Sequence, residues 1–198
     1  MASSTISEFK SQLRRGGARP NLFEVDITSA TGWVNNDAQT EFKFLCKATS
    51  MPTQTIGSVD VPFRGRILKV AGDRTFEPWS ITVINDTDFV IRNAFERWSN
   101  LMNKHEDNSG LTDPTSYQQD LYVRQLGRSG LTGSNPSSDS QLPVLKQYRF
   151  YGAFPTTVSA IDLSYENTDA IEEFTVELQY QWYDALDSSG SSQLGTGG

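Results

Sequence analysis

The chain has 198 residues, a formal net charge of −7 and a hydrophobic fraction of 36%. That length suits one domain with a sizeable core, but the modest apolar fraction means that much of the surface is polar or is buried only against other subunits. The acidic balance argues against a surface that grips nucleic-acid phosphates, because such a surface needs clustered lysine and arginine.

Cysteine and histidine usage excludes further classes. Cys46 is the only cysteine and His105 the only histidine, so we expect no internal disulfide, zinc site or Cys/His nucleophile. We expect Cys46 to be a small buried residue on a strand and His105 to be a solvated loop residue. No run approaches 18 apolar residues, so we expect no membrane-spanning helix and no membrane partner. The amino terminus lacks the pattern of a secretory signal, which favours folding in a reducing cytoplasm.

The first third of the chain predicts an arm and two strands. Residues 1–19 are typical of a short helix or arm. We take residues 20–184 as the main domain. Two runs alternate apolar with polar residues, which predicts strands with one buried face each: Phe23, Val25 and Ile27 in the first, and Phe42, Phe44 and Cys46 in the second. The turn-rich segment 29–40 is expected to join them.

The segment 55–71 is rich in apolar residues, but its alternation is poor and glycines interrupt it. This pattern predicts a hairpin with a glycine turn. Two uses stay open: the hairpin packs on its own domain, or it forms an arm that pairs with a neighbouring subunit, because open strand edges invite pairing. For the second use, the interface residues are Ile56, Val59, Val61, Phe63, Arg64, Arg66, Ile67 and Leu68.

A strand and the one predicted helix follow. The alternation of Trp79, Ile81 and Val83 predicts the strand. Residues 85–88 supply N-cap candidates for the helix. From Phe89 to Met102 apolar residues recur at spacings of three and four, which predicts a helix of about four turns with its apolar stripe on a sheet.

The remainder predicts loops and four strands. We expect a loop at 105–116, an exposed loop at 127–143, and a Ser/Gly-rich tail at 185–198 that has no reason to fold alone beyond residue 187. The expected strands are 121–126, 144–151, 158–165 and 171–183. Eight or so strands with one helix make a mainly-β domain, which is a sandwich or small barrel with a flanking helix.

The sequence gives little support for a catalytic site. Asp73 and Arg74 favour an ion pair or a turn carboxylate at a strand start. No glycine run carries the lysine and serine of a phosphate loop. Glu173 and Glu177 share a strand face but lie about 13 Å apart by strand rise, which is too far for a glycosidase pair. We therefore expect no enzyme, and no catalytic, cofactor or metal site.

Six short sequence segments occur in an order and at spacings that are typical of one protein family. They are Ala18–Val25, Cys46–Thr49 with Pro52, Ala71–Phe76, Asn85–Asp86, Phe95 with Trp98, and Phe174–Leu178. In order and spacing, from about residue 18 to 183, they resemble the tail tube proteins of contractile-tailed bacteriophages.

The resemblance implies a structural protein of the virion tail, assembled in the host cytoplasm. It implies six-membered rings that stack into a tube with an inner β-barrel, through which double-stranded DNA passes without specific binding. The implied partners are further copies of the chain, the tail sheath protein, and the baseplate and tail terminator proteins. Two related functions stay open: a baseplate initiator or terminator that forms a single ring, and a tube protein like that of type VI secretion.

A conduit for DNA should present an acidic or neutral wall, because lysine and arginine contacts to phosphate would add friction. Polar strand faces supply candidate residues for this wall: Glu24, Asp26, Asp162, Glu173 and Glu177. The alternative for each strand is that its polar face meets outer solvent or the sheath.

Overall fold

The computed structural model describes residues 6–12, 17–27, 36–128, 142–166, 168–187 and 190–194. Four helices lie in these ranges: α1 (Ile6–Gln12), α2 (Asn36–Leu45), α3 (Val90–Met102) and α4 (Pro114–Tyr117). The strands are β1 (Phe23–Ile27), β2 (Cys46–Thr49), β3 (Gln54–Phe63), β4 (Arg66–Phe76), β5 (Trp79–Ile84), β6 (Gln119–Leu126), β7 (Val144–Val158), β8 (Glu173–Gln179) and β9 (Trp182–Leu186).

Strand β7 links two antiparallel sheets. Its first part pairs with β6 and β9, and β6 pairs with β1; we call these strands sheet 1. Its last part pairs with β8, which pairs with β5, which pairs with β2; we call these strands sheet 2. Gly152 lies where β7 changes partners, with φ +61° and a side-chain position only 2.8 Å from Gln118 Oε1, so a larger residue is disfavoured there.

Side chains from both sheets form one core with those of α2 and α3, which confirms the predicted sandwich with a flanking helix. Trp79 of sheet 2 stacks on Phe150 of sheet 1, with ring centroids 4.4 Å apart. The buried indole nitrogens are satisfied: Trp79 Nε1 donates to the Ser50 carbonyl at 2.8 Å and Trp98 Nε1 to the Tyr117 carbonyl at 2.6 Å. Such partners allow tryptophan to be buried at little cost.

The strand predicted at residues 42–46 is wrong, because α2 covers residues 36–45. The error comes from the spacing of the apolar residues, which does not distinguish a strand from a helix here. Phe42 and Cys46 are buried and four residues apart, as on one helix face, whereas Phe44 is exposed. The same apolar residues fit a period of 2 or of 3.6 over so short a stretch. Cys46 itself begins β2 and is buried, as predicted.

Helix α3 is confirmed, but its predicted N-cap is not. No side chain of residues 85–88 caps it; Phe89 holds the cap position in the left-handed region, with φ 55°. Asp86 instead closes a turn, since its carbonyl accepts from Phe89 N at 3.0 Å. The loop predicted at 105–116 ends in the short helix α4, which Asp113 caps by accepting from Thr115 N at 3.0 Å.

The carboxyl-terminal strands also differ from prediction. Strand β7 continues to Val158, and residues 159–172 form no strand in the ranges the structure describes. The strand predicted at 171–183 is two strands, β8 and β9. Described residues of the predicted tail fold back, since Gln193 N donates to the Ala185 carbonyl at 2.7 Å. Most of the predicted loops 29–40 and 127–143 fall outside the described residues.

Candidate subunit interface and channel surface

Strands β3 and β4 form a hairpin that pairs with no other strand among the described residues; we call it the long hairpin. Its register runs from Gln54 opposite Phe76 to Phe63 opposite Arg66. The prediction of a hairpin is confirmed, but it extends further than 55–71. Residues 71–76 therefore belong to β4 and do not start a new strand.

The hairpin turn is Arg64–Gly65. Both residues have positive φ, 46° and 80°. Two-residue turns with positive φ at both positions match the right-handed twist of the flanking strands. Glycine takes this conformation freely, whereas an arginine is strained there.

Two glycines, Gly57 and Gly72, lie where the register of the hairpin shifts. The register shifts between Ile56 and Ser58, so an irregularity falls at Gly57. A side chain at Gly72 would lie 3.2 Å from the Gly57 carbonyl oxygen. The two backbones approach closely at this point because neither residue has a side chain. Bulges of this kind bend and twist a strand pair.

The long hairpin exposes large apolar side chains that are 43% to 66% accessible. They are Ile56, Val59, Val61, Phe63, Ile67, Leu68 and Val70. All eight predicted interface residues lie on this hairpin: six belong to this exposed set, Arg64 is in the turn, and Arg66 begins β4. Val70 belongs to the same exposed set but is absent from the predicted interface residues. Contiguous exposed apolar side chains of this kind mark interaction surfaces.

The five predicted channel residues do not share one surface. Glu24 and Asp26 lie on the outer face of sheet 1, where Arg124 Nη1 contacts their carboxylates at 2.7 and 3.3 Å. Glu24 also pairs with Lys43 at 3.0 Å. Glu173 and Glu177 lie on the outer face of sheet 2, where Glu173 pairs with Lys47. Because the core separates the two sheets, these outer faces point away from each other.

Asp162 lies on neither sheet. It belongs to the segment between β7 and β8, which the sequence pattern wrongly assigned to a strand. This residue is therefore not part of a strand face of either sheet.

The outer faces of the two sheets differ in the kinds of side chain that they carry. On sheet 2, Ser80 lies opposite Glu177, Thr82 opposite Thr175, and Thr157 on the other side of Glu177. Apart from Glu177 these side chains are short and uncharged, and the same face carries the Glu173–Lys47 pair.

On sheet 1 the outer face is built from long side chains. Arg149 donates to Asp120 at 2.6 Å and lies 4.5 Å from the Tyr151 ring centroid, and Tyr151 stacks on Trp182 at 3.8 Å. Tyr122 joins this stack to Arg124, because its ring centroid lies 5.5 Å from the guanidinium groups of both Arg149 and Arg124. Arg124 in turn contacts the carboxylates of Glu24 and Asp26. Although partial burial opposes the shift, the hydrogen bond to Asp120 and nearby charges raise the pKa of Arg149.

Other candidate chemistry finds no support in the described part of the chain. No group of three or more His, Cys, Asp or Glu residues there could hold a metal ion. His105 lies exposed in a turn. None of the described helices has the length and apolar character needed to cross a membrane.

Comparisons with known proteins agree with this architecture. The family model "Phage tail tube protein" matches residues 18–186. The chain belongs to the phage tail tube protein family.

Curated relatives of this tail tube family member cover most of its length. It is 32% identical over 167 residues to tail tube protein gp19 of Enterobacteria phage T4, with 84% of this chain and 91% of the relative covered. It is 28% identical over 179 residues to the tail tube protein of Serratia phage KSP90, with 89% and 94% covered. Family membership makes the chain a structural component of the virion tail and not an enzyme.

Solved structures show the same fold at low sequence identity. A chain of the sheath–tube complex of an extracellular contractile injection system, in the extended state, matches with a TM-score of 0.53 and 14% identity, covering 93% of this chain and 99% of that chain. A chain of the anti-feeding prophage tube-terminating cap matches with a TM-score of 0.55 and 14% identity, covering 86% and 91%. A chain of the anti-feeding prophage baseplate, 6-fold symmetrised, matches with a TM-score of 0.54 and 13% identity, covering 87% and 97%.

Proposed function

We propose that this tail tube protein assembles as hexameric rings that stack into the inner tube of a contractile tail, and that the tube conducts DNA during ejection. The observation that carries this proposal is the long hairpin, which pairs only with itself and exposes seven large apolar side chains among the described residues. An isolated two-stranded hairpin is marginally stable in water. Contact with another subunit would bury its apolar surface and stabilise it.

Sheet 2 is the channel wall in this proposal. The long hairpin leaves from β2 and returns into β5, so it continues sheet 2 and not sheet 1. Among the described residues, β2 and the end of β7 are the open edges of sheet 2, and edge pairing between neighbours would join six copies into one barrel. The serine and threonine side chains of its outer face leave a wide bore, and Glu173 and Glu177 make that face acidic. The arginine and aromatic side chains of sheet 1 would narrow the bore and attract phosphate.

The candidate wall residues are therefore Glu173 and Glu177, with Glu173 partly neutralised by Lys47. Glu24 and Asp26 lie on the face turned away from the channel. An acidic or neutral wall repels DNA phosphates within about a Debye length, ~8 Å at physiological salt. The DNA then passes without specific binding.

The sheath, baseplate and terminator proteins complete the set of proposed partners. Structural neighbours come from a sheath–tube complex, a baseplate and a terminating cap, which supports these partners by analogy of fold. The proposed organisation keeps an arm at 1–19, the tube domain at 20–184 and a tail at 185–198.

Electron microscopy of the purified full chain tests the proposal. We expect long hollow tubes. Single rings would indicate an initiator or terminator, and a strictly monomeric protein at high concentration, with or without a baseplate seed, would overturn the proposal.

A hairpin variant sharpens this experiment. Replacing Val59–Val70 by Asn-Gly keeps the register, because Ser58 and Ala71 are paired. The expected result is a folded protein, with an unchanged circular dichroism spectrum, that forms no tubes. The matched control, Gly65→Asn, keeps both arginines and every exposed apolar side chain of the hairpin and should assemble, because asparagine tolerates the positive φ at this position. Tubes formed by the shortened variant would exclude the hairpin as the interface.

A further inference from the structure

We propose that the segment between β7 and β8 is the surface that receives the long hairpin of another copy. We call this segment, residues 159–166 and 168–172, the acceptor loop, and we call residues 61–68 the hairpin tip. The inference rests on the proposed tube function and names the two surfaces that meet when one ring stacks on the next.

The acceptor loop exposes apolar side chains that its own subunit does not cover. Leu163 is 80% accessible, Ile171 is 71% accessible, and Tyr165 is fully exposed. Three large apolar side chains in one short segment are costly to leave in water. Contact with a second apolar surface would remove that cost.

The loop is held at both ends, so these side chains are presented from a defined base. Near its start, Arg92 Nη1 donates to the Ser159 carbonyl at 3.1 Å, and Thr175 N donates to Ser159 Oγ at 2.8 Å. Near its end, Asn85 donates to Glu172 through its backbone N at 2.8 Å and through Nδ2 at 2.9 Å. Anchored ends lower the conformational entropy lost on binding.

Charge complementarity identifies the occupant. Besides Glu172, which accepts from Asn85, the acceptor loop carries carboxylates at Asp162, Glu166 and Asp169, and it contains no lysine or arginine. The hairpin tip carries two arginines, at 64 and 66, and contains no acidic residue. Within the described ranges, no salt bridge forms at these two arginines or at the three unbonded carboxylates of the loop.

The two surfaces also match in apolar content. The hairpin tip presents Phe63, Ile67 and Leu68 beside its arginines, and the acceptor loop presents Leu163 and Tyr165 beside its carboxylates. Each surface therefore offers apolar contact with opposite charge around it. This combination provides both affinity and register.

Topology places the base of the long hairpin and the acceptor loop at opposite ends of sheet 2. Strand β5 begins at Trp79, next to the hairpin, and ends at Ile84, which lies opposite Glu173 at the end of the acceptor loop. Five residue steps separate these ends by about 17 Å. A contact from one end of a subunit to the other end of the next is heterologous, and such a contact builds an open stack when its rotation does not close into a ring.

A charge-swap experiment tests the inference on the full chain. We expect R64E/R66E to raise the protein concentration needed for tube formation by about tenfold or more, which corresponds to about 1.4 kcal/mol or more. D162R/E166R should have the same effect. Combining all four substitutions should restore assembly. A matched control, D88R/E106R, makes the same charge change as the loop variant at exposed acids outside both surfaces and should assemble as the unmodified protein does.

Each outcome has a stated meaning. If the hairpin variant blocks assembly but the loop variant does not, the acceptor lies elsewhere and this inference fails while the tube function stands. If the loop variant forms normal tubes that no longer take up sheath protein, the loop is a sheath contact and the inference fails. If the unmodified chain forms no tubes, the proposed function fails and this inference with it.

Disulfide trapping provides a second readout. I67C/L163C tubes, once oxidised, should run as a ladder of covalent oligomers, whereas tubes of each single variant should not. Native Cys46 is buried and should not interfere. Absence of a ladder for this pair and for F63C/Y165C, together with no rescue by the charge swap, would overturn the inference.

Discussion

Cys46 illustrates how burial controls the chemistry of one residue. Its side chain lies in the core at the start of β2, and burial raises the pKa of the thiol to about 12, although an interaction with the backbone of Ala48 opposes the shift. Only the thiolate reacts with electrophiles. Both the steric shielding and the raised pKa should make this cysteine inert in the native protein.

We predict that Cys46 resists a thiol-specific reagent at pH 8 in the native protein and reacts within minutes after denaturation. Labelling followed by absorbance gives the measurement. The pH dependence has a defined sign: because the folded pKa is raised, the stability contribution is present below the unfolded pKa of 9.0 and is lost as the pH rises through about 12. Rapid stoichiometric labelling of the native chain would contradict this account.

Gly65 isolates a backbone effect from a packing effect. No atom lies within 4 Å of the position that an added side chain would occupy, yet φ is +80°. We predict that Gly65→Ala destabilises the hairpin turn by about 1 kcal/mol, through backbone strain alone. Arg64→Asn should be neutral or stabilising, because asparagine tolerates positive φ. Hydrogen exchange of the hairpin amides measures both, and equal protection in the two variants would count against the turn geometry.

At the scale of elements, α2 shows how an ambiguous period is resolved by packing. Phe42 is 1% accessible and lies 5.8 Å from the Phe95 ring, whereas Phe44 is 75% accessible. A strand would have placed both on one face. The helix separates them.

We predict that Phe42→Ala lowers the free energy of unfolding by about 3–5 kcal/mol, as truncation of a buried phenylalanine does. Phe44→Ala should change it by less than about 0.5 kcal/mol, as is usual for surface positions. Urea denaturation of the two variants gives the comparison, with shortened-hairpin protein as the background so that polymerisation does not interfere. Equal losses for the two variants would restore the strand interpretation.

The long hairpin and the acceptor loop differ in how much their local sequence indicates. The apolar content of the hairpin exceeds what a surface hairpin needs, and its glycines mark both the turn and the irregularity. The acceptor loop has a misleading pattern, because Ile161, Leu163 and Tyr165 alternate with polar residues as a strand would. Among the described residues no strand pairs with this segment, so it forms a loop and its largest apolar side chains stay exposed.

For the whole molecule, the position of sheet 2 around the channel leads to a further test. We predict that Glu173→Lys with Glu177→Lys leaves folding intact, since exposed charges contribute little to stability. Tubes should still form, but DNA should leave them more slowly in an ejection assay, because lysine binds phosphate. The delay should be larger at low salt than at high salt.

The control for that experiment uses exposed acids outside the proposed channel and interface surfaces. Replacing Asp88 and Glu106 by lysine makes the same change in net charge and should leave ejection unchanged. Unaltered ejection kinetics at low salt for the Glu173/Glu177 variant, with tubes still present, would mean that sheet 2 does not line the channel.

The local pattern of apolar residues was sufficient to predict the elements in which that pattern continues over the whole length. Alternation identified β1, β5 and β8, spacing of three and four identified α3, and the ordered sequence segments indicated the family. These features depend on residues close in sequence, whose periodicity is set by backbone geometry alone. The mainly-β class and the tail tube family were therefore determined by the sequence itself.

Tertiary structure decided to which sheet, and to which side of the molecule, the polar face of each strand belongs. Glu24 and Glu177 look equivalent in sequence, since each alternates with buried residues. In the structure Glu24 lies on β1 of sheet 1 and Glu177 on β8 of sheet 2, and the outer faces of these sheets point away from each other. It also decided that residues 42–45 are helical and that Phe89, not an Asx residue, occupies the α3 cap. Each of these outcomes depends on partners far away in the chain, and a local pattern carries no record of them.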